Sequence, residues 1–380
     1  MAPQEKFLKV LHIRSSGSVL GAENVVIEIA KESQNYGVES IIGIPVLDCD
    51  GIPEFAKYAE SNQLNVKVFN YPSLINRKLP KDIKEYVNKN NIDVIHCHGY
   101  QEDFYAWMAN TKKPLIATNH LWKRTTLKLK LYMILDALIL KRFNHIIAVS
   151  KPILKELHKL GFKKNKTSII ANGVNCERFK LKQNNKIDPN LKQSLNIPET
   201  NLVLGMISSL TVEKGHIYAL EAFKQCLEQT TQPLTLLIIG DGSDKDSIKN
   251  KVKELQLTEH VIFTGTRKDI PEIFSIMDIY LLTSLNEGLP ISLLEAMASQ
   301  LPIISTNVGD INTVIKNEIN GFLVESKDIL NIRNSLLKLI NDTELRIQLA
   351  KAASKTIENH YSSSQMSKAY CELYKKIASK

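Results

Sequence analysis

Two acids stand eight residues apart in "NEGLPISLLEAMASQLPIIST", which runs from Asn286 to Thr306: Glu287 and Glu295. Between them, Gly-Leu-Pro opens an apolar run at helical spacing. Pro290 suits a helix start, where a missing N–H is no loss. Glu287 therefore falls in a loop, and Glu295 on the early turns of the helix behind it. The amides around Gly288 and Leu289 would lie at the helix N-terminus, where unpaired N–H groups and the positive dipole end make an anion site. Carboxylates beside such a site would accept hydrogen bonds from hydroxyls on either side of the anion. A sugar on one side and a ribose on the other suit that geometry. Read alone, the pair also fits a helix cap and an exposed helix residue.

Other residues invite similar questions. Lys214 in "TVEKGH" sits at a strand-to-helix junction, where a cation is locally unfavourable without an anion nearby. Gly17 and Gly21 in "SSGSVLGAE" would let backbone amides approach a phosphate or a transferred sugar, or serve only as turn residues. Their spacing is not G-x-G-x-x-G, so a dinucleotide site is not favoured. His96 and His98 in "IHCHG" point to one side of a continuing strand, but no third metal ligand is evident, and they read as structural or acceptor-side. The triplets "DCD" (Asp48, Asp50) and "DKD" (Asp244, Asp246) fit turn and helix-cap roles, so no metal is expected.

The elements that must position these groups alternate. "FLKVLHI", "VESIIGIPV", "DVIHCH", "PLIATNH" and "HIIAVS" read as short buried strands with helix-period segments between them. The pattern restarts with "NLVLGMISSL", "LTLLIIGDG", "VIFTG", "IYLLTS" and "LPIIST". Strands alternating with helices predict a parallel sheet covered on both faces. The fold class is therefore α/β, with two Rossmann-like units in tandem and the polar stretch Leu181 to Glu199 linking them. Ligands of such sheets bind outside the carboxyl ends of the strands.

Composition bounds the setting. The 380 residues are 43% apolar and 23% charged, as in a globular chain of two domains. The net charge of +9 is uneven: residues 1–180 hold 27 Lys+Arg and 17 Asp+Glu, so +10, and the rest hold 22 and 23, so −1. A basic N-terminal half suits an anionic partner such as a membrane surface. The segment "HLWKRTTLKLKLYMILDALILKRFNHII" gathers Lys123, Arg124, Lys128, Lys130, Lys141 and Arg142 around an apolar helix-like run; it fits a lipid-facing surface or a core helix with a solvated basic face. No recognised nucleic-acid motif accompanies the charge, so no nucleic-acid partner is expected. The cysteines (Cys49, Cys97, Cys176, Cys226, Cys371) are dispersed, which reads as free thiols in a reducing compartment. With no secretory signal and no long apolar span, a cytoplasmic protein is expected.

The stretch "TSLNEGLPISLLEAMASQLPIISTNVGDINTVIKNEINGFLVE" closely resembles the E-x7-E region of retaining glycosyltransferases of family 4, which have the GT-B fold. "KVLHIRSSGSVLGAENVVIEIA", "DVIHCHG", "AVSKPILKEL", "IANGVNCERF", "EKGHIYALEAF" and "LLIIGDGSDKDSIK" resemble the family's other landmarks in the same order. The resemblance implies two Rossmann-like domains facing across a cleft: an acceptor-binding domain over 1–182, a donor-binding domain over 183–358, and a closing helix over 359–380 that packs back on the first. It implies that Glu287 contacts the donor sugar, Glu295 holds the nucleotide ribose, and Lys214 neutralises the donor diphosphate. Gly288, Leu289 and Pro290 would border that site, with Gly17 and Gly21 in the N-terminal Gly-rich loop. His120 would lie near the reaction centre, and Arg267 in "GTRKDIPEIF" near the base. Where the family usually has an Arg, five residues before the Lys, this chain has Ser209, which can bond a phosphate but cannot offset its charge; Arg14 is one candidate replacement.

The expectation is thus a metal-independent, retaining glycosyltransferase without a cofactor. It would take a UDP- or GDP-linked sugar and a saccharide or lipid-linked acceptor, in surface polysaccharide, lipopolysaccharide or glycolipid synthesis. It would be cytoplasmic or peripheral on the inner face of the membrane. A nucleotide-sugar epimerase on the same fold and a non-catalytic membrane-binding protein are the rival readings.

Overall fold

A computed structural model describes residues 7–17, 21–48, 50–73, 76–119, 127–180, 188 and 190–379. The chain divides into two compact units, Met1–Gly173 with Ser363–Lys380, and Val174–Ser362.

Among the described residues the first unit holds a seven-stranded sheet of β1 (Leu8–Ile13), β2 (Val38–Leu47), β3 (Asn65–Tyr71), β4 (Val94–Cys97), β5 (Leu115–Asn119), β6 (His145–Ala148) and β7 (Thr167–Ile169), in the order 3-2-1-4-5-6-7. The second holds a six-stranded sheet of β8 (Leu202–Ile207), β9 (Leu234–Ile239), β10 (Val261–Gly265), β11 (Ile279–Leu282), β12 (Ile303–Thr306) and β13 (Phe322–Val324), in the order 10-9-8-11-12-13. Every pairing is parallel. Central strands such as β9 are buried at every residue, as expected for a sheet covered on both faces. Three strands carry weak sequence signals: β7 and β13 have three residues each, and β3 alternates poorly because it is a partly exposed edge.

Sequence predicts the first boundary at 182/183, whereas the chain passes to the second unit at 173/174. Val174 bridges to Ser362, and its amide donates to the Tyr361 carbonyl at 2.9 Å, so both crossings lie side by side. The helix Cys176–Phe179 belongs with the second unit, where Phe179 meets the Phe274 ring edge-on.

The last helix, Ser363–Ala378, packs on helix Gly21–Ser33 of the first unit. Tyr370 and Tyr374 are fully buried there. The Tyr374 hydroxyl meets His96 Nδ1 at 2.7 Å, and Ser367 Oγ donates to the Glu28 carbonyl at 3.3 Å. The amphipathic pattern of the helix thus finds its partner some 330 residues upstream (Tyr36 to Ser364, a 2.7 Å hydroxyl pair, spans 328).

Helices Tyr100–Ala109 and Leu127–Leu140 meet through buried acids, Asp103 and Asp136, which share a carboxyl–carboxyl hydrogen bond. Burial first, then the neighbouring Asp136 and Glu102, push the Asp103 carboxyl well above its usual range. A folded-state pKa raised in this way stabilises the fold fully below the ordinary carboxyl range, and the contribution is lost as pH rises through the raised value. Asp103→Asn keeps a donor without a titrating proton. It should melt higher than the parent at pH 8, with the gap closing toward pH 4, in thermal melts followed by circular dichroism. An equal or lower melting temperature at pH 8 would contradict the shared proton.

Candidate functional site

The polar groups of the second unit converge at the carboxyl ends of β8 and β11, adjacent strands in the sheet order. After β8 the chain turns through Ser208 and Ser209. A single turn, Val212–Lys214, then brings Lys214 round before helix His216–Leu227. After β11 come Thr283 and Ser284, then the loop that carries Glu287, then helix Ile291–Ala298.

The two loops meet directly. Lys214 Nζ donates to Glu287 Oε1 at 2.6 Å, and Ser284 Oγ donates to the same oxygen at 2.8 Å. The Leu285 amide donates to the Glu213 carbonyl at 2.7 Å, and Thr283 Oγ1 to the Gly215 carbonyl at 3.0 Å. With side chains 22% and 9% exposed, the Lys214–Glu287 pair is largely shielded from water, so its attraction is stronger than that of a surface pair. Glu287 therefore does not cap the helix: it faces the lysine.

Glu295 lies on the helix behind this pair, partly buried. Burial pushes its carboxyl up to about 7, and the positive charge of Arg178 works against that rise. Near neutrality it thus sits between its charged and neutral forms. Arg178 belongs to helix Cys176–Phe179, which contacts helix Ile291–Ala298. Tyr280 backs the site, donating to Ser292 Oγ at 2.9 Å. Leu289 is buried; Pro290 occupies the N-cap position rather than the first turn, with extended backbone, and the helix begins at Ile291.

Glycines hold both loops from behind, a role their sequence context barely signals. Gly309 has φ of 60°, and a Cβ there would overlap the carbonyl oxygens of Glu287 and Gly288. The next residue's amide, Asp310 N–H, donates to the Gly288 carbonyl at 3.0 Å. Gly240, at φ of 135°, packs where a Cβ would overlap the Ser208 carbonyl. The "GDG" stretch thus supports the serine loop from below.

The remaining predicted residues are more dispersed. Ser209 is exposed at the β8 end. Arg267 follows β10 and is forked onto Asp269, with Nε to Oδ1 at 2.8 Å. Asp244 stands at an N-cap position, but its side chain makes no cap bond. Gly17 and Gly21 lie in the first unit, after β1 and at the start of helix Gly21–Ser33, with open space around a Gly17 Cβ. His120 lies outside the described residues. Arg14, the candidate replacement cation, is already paired. Its guanidinium binds Glu23 at 2.7 and 2.8 Å and the His98 carbonyl at 2.5 Å, all within the first unit.

Sequence leaves His96 and His98 without a third ring. The β1–β4 register supplies it, placing His12 beside His96. Ligand atoms of the three buried histidines lie within 4.8 Å of one another, so a metal could in principle be gripped. Both nitrogens of His12 and of His96, and Nε2 of His98, are instead committed among themselves and to neighbours. His12 Nδ1 meets His98 Nε2 at 3.2 Å and His12 Nε2 meets Ser40 Oγ at 3.1 Å; His96 spans Tyr374 and Thr118 at 2.7 and 2.8 Å. Burial lowers His12 to about 3, so it stays neutral, and the geometry favours a hydrogen-bonded brace.

Known proteins are similar to this chain. A model of the Glycosyltransferase Family 4 matches residues 19–178, and one of the glycosyl transferases group 1 matches residues 188–356. A UDP-Gal:alpha-D-GlcNAc-diphosphoundecaprenol alpha-1,3-galactosyltransferase of Escherichia coli is 30% identical over 315 residues, covering 77% of this chain and 80% of that protein. The chain belongs to the family 4 glycosyltransferases. This glycosyltransferase is also 27% identical to the N-acetyl-alpha-D-glucosaminyl L-malate synthase of Bacillus anthracis, over 81% of this chain and 80% of that one. The Anabaena protein HepE, solved with UDP-glucose, superposes with a TM-score of 0.83 at 22% identity over 97% of this chain and all of that one, and shows the shared GT-B fold.

The glycine behind the Glu287 loop offers a test of how that loop is held. Gly309→Ala forces a side chain into the left-handed region and against two carbonyls. It should cost about 1–2 kcal/mol or more of stability, read as a lowered melting temperature. It should also impair turnover more than a substitution at the exposed Ser209.

Proposed function

We propose that this glycosyltransferase is a retaining enzyme that moves a sugar from a UDP- or GDP-linked donor to a hydroxyl acceptor, with no metal. The observation that carries the reading is the Lys214–Glu287 contact at the carboxyl ends of adjacent parallel strands, with Glu295 on the helix behind it. The donor class is supported by the UDP-Gal in the Escherichia coli relative's name and by UDP-glucose in the Anabaena structure.

In this reading the second unit binds the donor and the first binds the acceptor. Glu295 accepts from the ribose hydroxyls. The amides of Gly288 and Leu289, ahead of Pro290 and the helix, lend their dipole to the diphosphate. Lys214 exchanges Glu287 for phosphate and offsets the negative charge that grows on the leaving group. Glu287, released, orients hydroxyls of the donor sugar. Ser209 adds a neutral hydrogen bond to phosphate, and Arg267 borders the base. Gly17, Gly21 and His120 act from the first unit at the transferred sugar. The acceptor oxygen bonds to the anomeric carbon on the face that the diphosphate leaves, and its proton passes to that phosphate. The protein contributes positioning and charge stabilisation, not a covalent nucleophile.

The acceptor is a saccharide or a lipid-linked saccharide of surface polysaccharide, lipopolysaccharide or glycolipid synthesis. The diphosphoundecaprenol in the name of the Escherichia coli relative supports the lipid-linked case. The working position is cytoplasmic, at an anionic membrane. Among the described residues no helix is long and apolar enough to cross one.

A thermal-shift screen against UDP, GDP and their sugars, with and without EDTA, tests the donor reading. One nucleotide family should raise the melting temperature regardless of EDTA. No shift with any of them, or a shift abolished by EDTA, would overturn it. With the donor so named, Lys214→Ala and Glu287→Ala should each lower turnover about 10²–10³-fold while keeping the parent's fold by circular dichroism.

Glu295 makes nucleotide binding pH-dependent. Its pKa of about 7 leaves it neutral at lower pH, and ribose hydroxyls favour the carboxylate, so affinity should fall as pH drops through about 7. The fall should approach about tenfold per pH unit at most. UDP-glucose is the suitable probe, since its diphosphate does not titrate there. Glu295→Gln should flatten the profile in calorimetric titrations, and an unchanged slope in that variant would remove Glu295 from the site.

A further inference from the structure

Helix Leu127–Leu140 carries an apolar stripe on its outer face. Leu131, Ile134, Leu135 and Leu138 occupy positions i, i+3, i+4 and i+7, the stripe that ordinarily faces a core. Here all four face outward, between 49% and 57% exposed. The helix's acid, Asp136, is 3% exposed and faces inward with Ala137 and Leu140, paired with Asp103. Met133 packs on the core from the same inner face, so the helix is apolar on both sides. Against water alone, the outer face costs free energy. The orientation is favoured if the outer face meets something other than water.

The surrounding charge says what that is. Residues 101–150 contain eight Lys+Arg and three acids. All three acids, Glu102, Asp103 and Asp136, are buried. Lys112, Lys141 and Arg142 are exposed, the last two directly after the helix's final turn. Arg142 also borders a groove of about 790 Å³ whose wall includes Trp107 and Met108, 43% and 37% exposed. An outward aliphatic stripe, an indole and a thioether, with cations beside them and the three acids of this stretch withdrawn, match an interfacial anchor. A second copy seated on the same face would bring these cations against their own counterparts, which disfavours self-association.

We propose that the outer face of helix Leu127–Leu140, with the adjoining Trp107–Arg142 groove, docks on an anionic lipid bilayer. The leucine stripe enters the boundary of the acyl chains, and Lys112, Lys141 and Arg142 meet the headgroup phosphates. This rests on the membrane-side reading given above and identifies the surface that performs it; it needs no catalytic step.

The test is co-sedimentation of the full chain with vesicles of phosphatidylglycerol mixed with phosphatidylcholine, and with phosphatidylcholine alone. Binding should favour the anionic vesicles and weaken with added salt. The triple variant Leu131→Gln, Leu135→Gln, Leu138→Gln should lower partitioning at least about tenfold, and Lys141→Glu with Arg142→Glu by a similar factor. Both should keep the parent's melting temperature and its nucleotide-induced shift. No vesicle binding by the parent, or unchanged binding by the triple variant, would overturn the proposal. So would a parent dimer that the triple variant converts to monomer in sedimentation velocity, because a second copy would then be the occupant. The nucleotide shift is read separately: vesicle binding without it would sink the donor reading and leave this surface standing, and the converse would do the opposite.

Discussion

A lysine and a glutamate, 2.6 Å apart at two strand ends, set the demands on the second unit. Each would be poorly placed without the other. Lys214 stands just ahead of a helix N-terminus, where positive charge is disfavoured, and Glu287 is largely withdrawn from solvent. Their pairing satisfies both, and Ser284 adds a further donor to the carboxylate. The pair exists only because β8 and β11 are neighbours, a crossover that brings residues more than seventy positions apart into contact (73 for this pair). Gly240 and Gly309 then allow backbone to press against the two loops from behind.

The candidate sources of further positive charge are neutral or already paired. Ser209 is neutral, Arg267 is committed to Asp269, and Arg14 is committed to Glu23 in the other unit. Arg178 faces Glu295 instead and keeps its raised carboxyl from rising further. Most of the chain's excess positive charge lies in the first half of the sequence, and part of it is displayed beside an outward leucine stripe, away from the acids that could have neutralised it.

The first unit is completed from the far end of the chain. Helix Ser363–Ala378 delivers two tyrosines to a histidine network at the centre of the sheet: the Tyr374 hydroxyl meets a His96 ring nitrogen that burial would otherwise leave costly, and the Tyr370 hydroxyl meets Thr118 Oγ1. Imidazoles buried in a sheet are costly unless their polar nitrogens find partners. The returning helix provides one of those partners and is fixed by it.

Much of this was legible from residue order. The alternation of short apolar strands with helical segments determined an α/β chain with two parallel sheets, because strand and helix periods are local properties. The Glu-x7-Glu spacing, together with Pro290, determined that one acid lies in a loop and the next on the helix that follows. The resemblance to family 4 glycosyltransferases was likewise visible in linear motifs. Only the tertiary structure decided that Glu287 faces Lys214 rather than capping a helix, and that His12 completes a trio with His96 and His98. It also decided that Arg14 is already paired, and that helix Leu127–Leu140 shows its leucines to the outside. An amphipathic stripe specifies which residues share a face. Which way that face points depends on the partners that the fold supplies from distant parts of the chain, and those contacts carry no signal in local spacing.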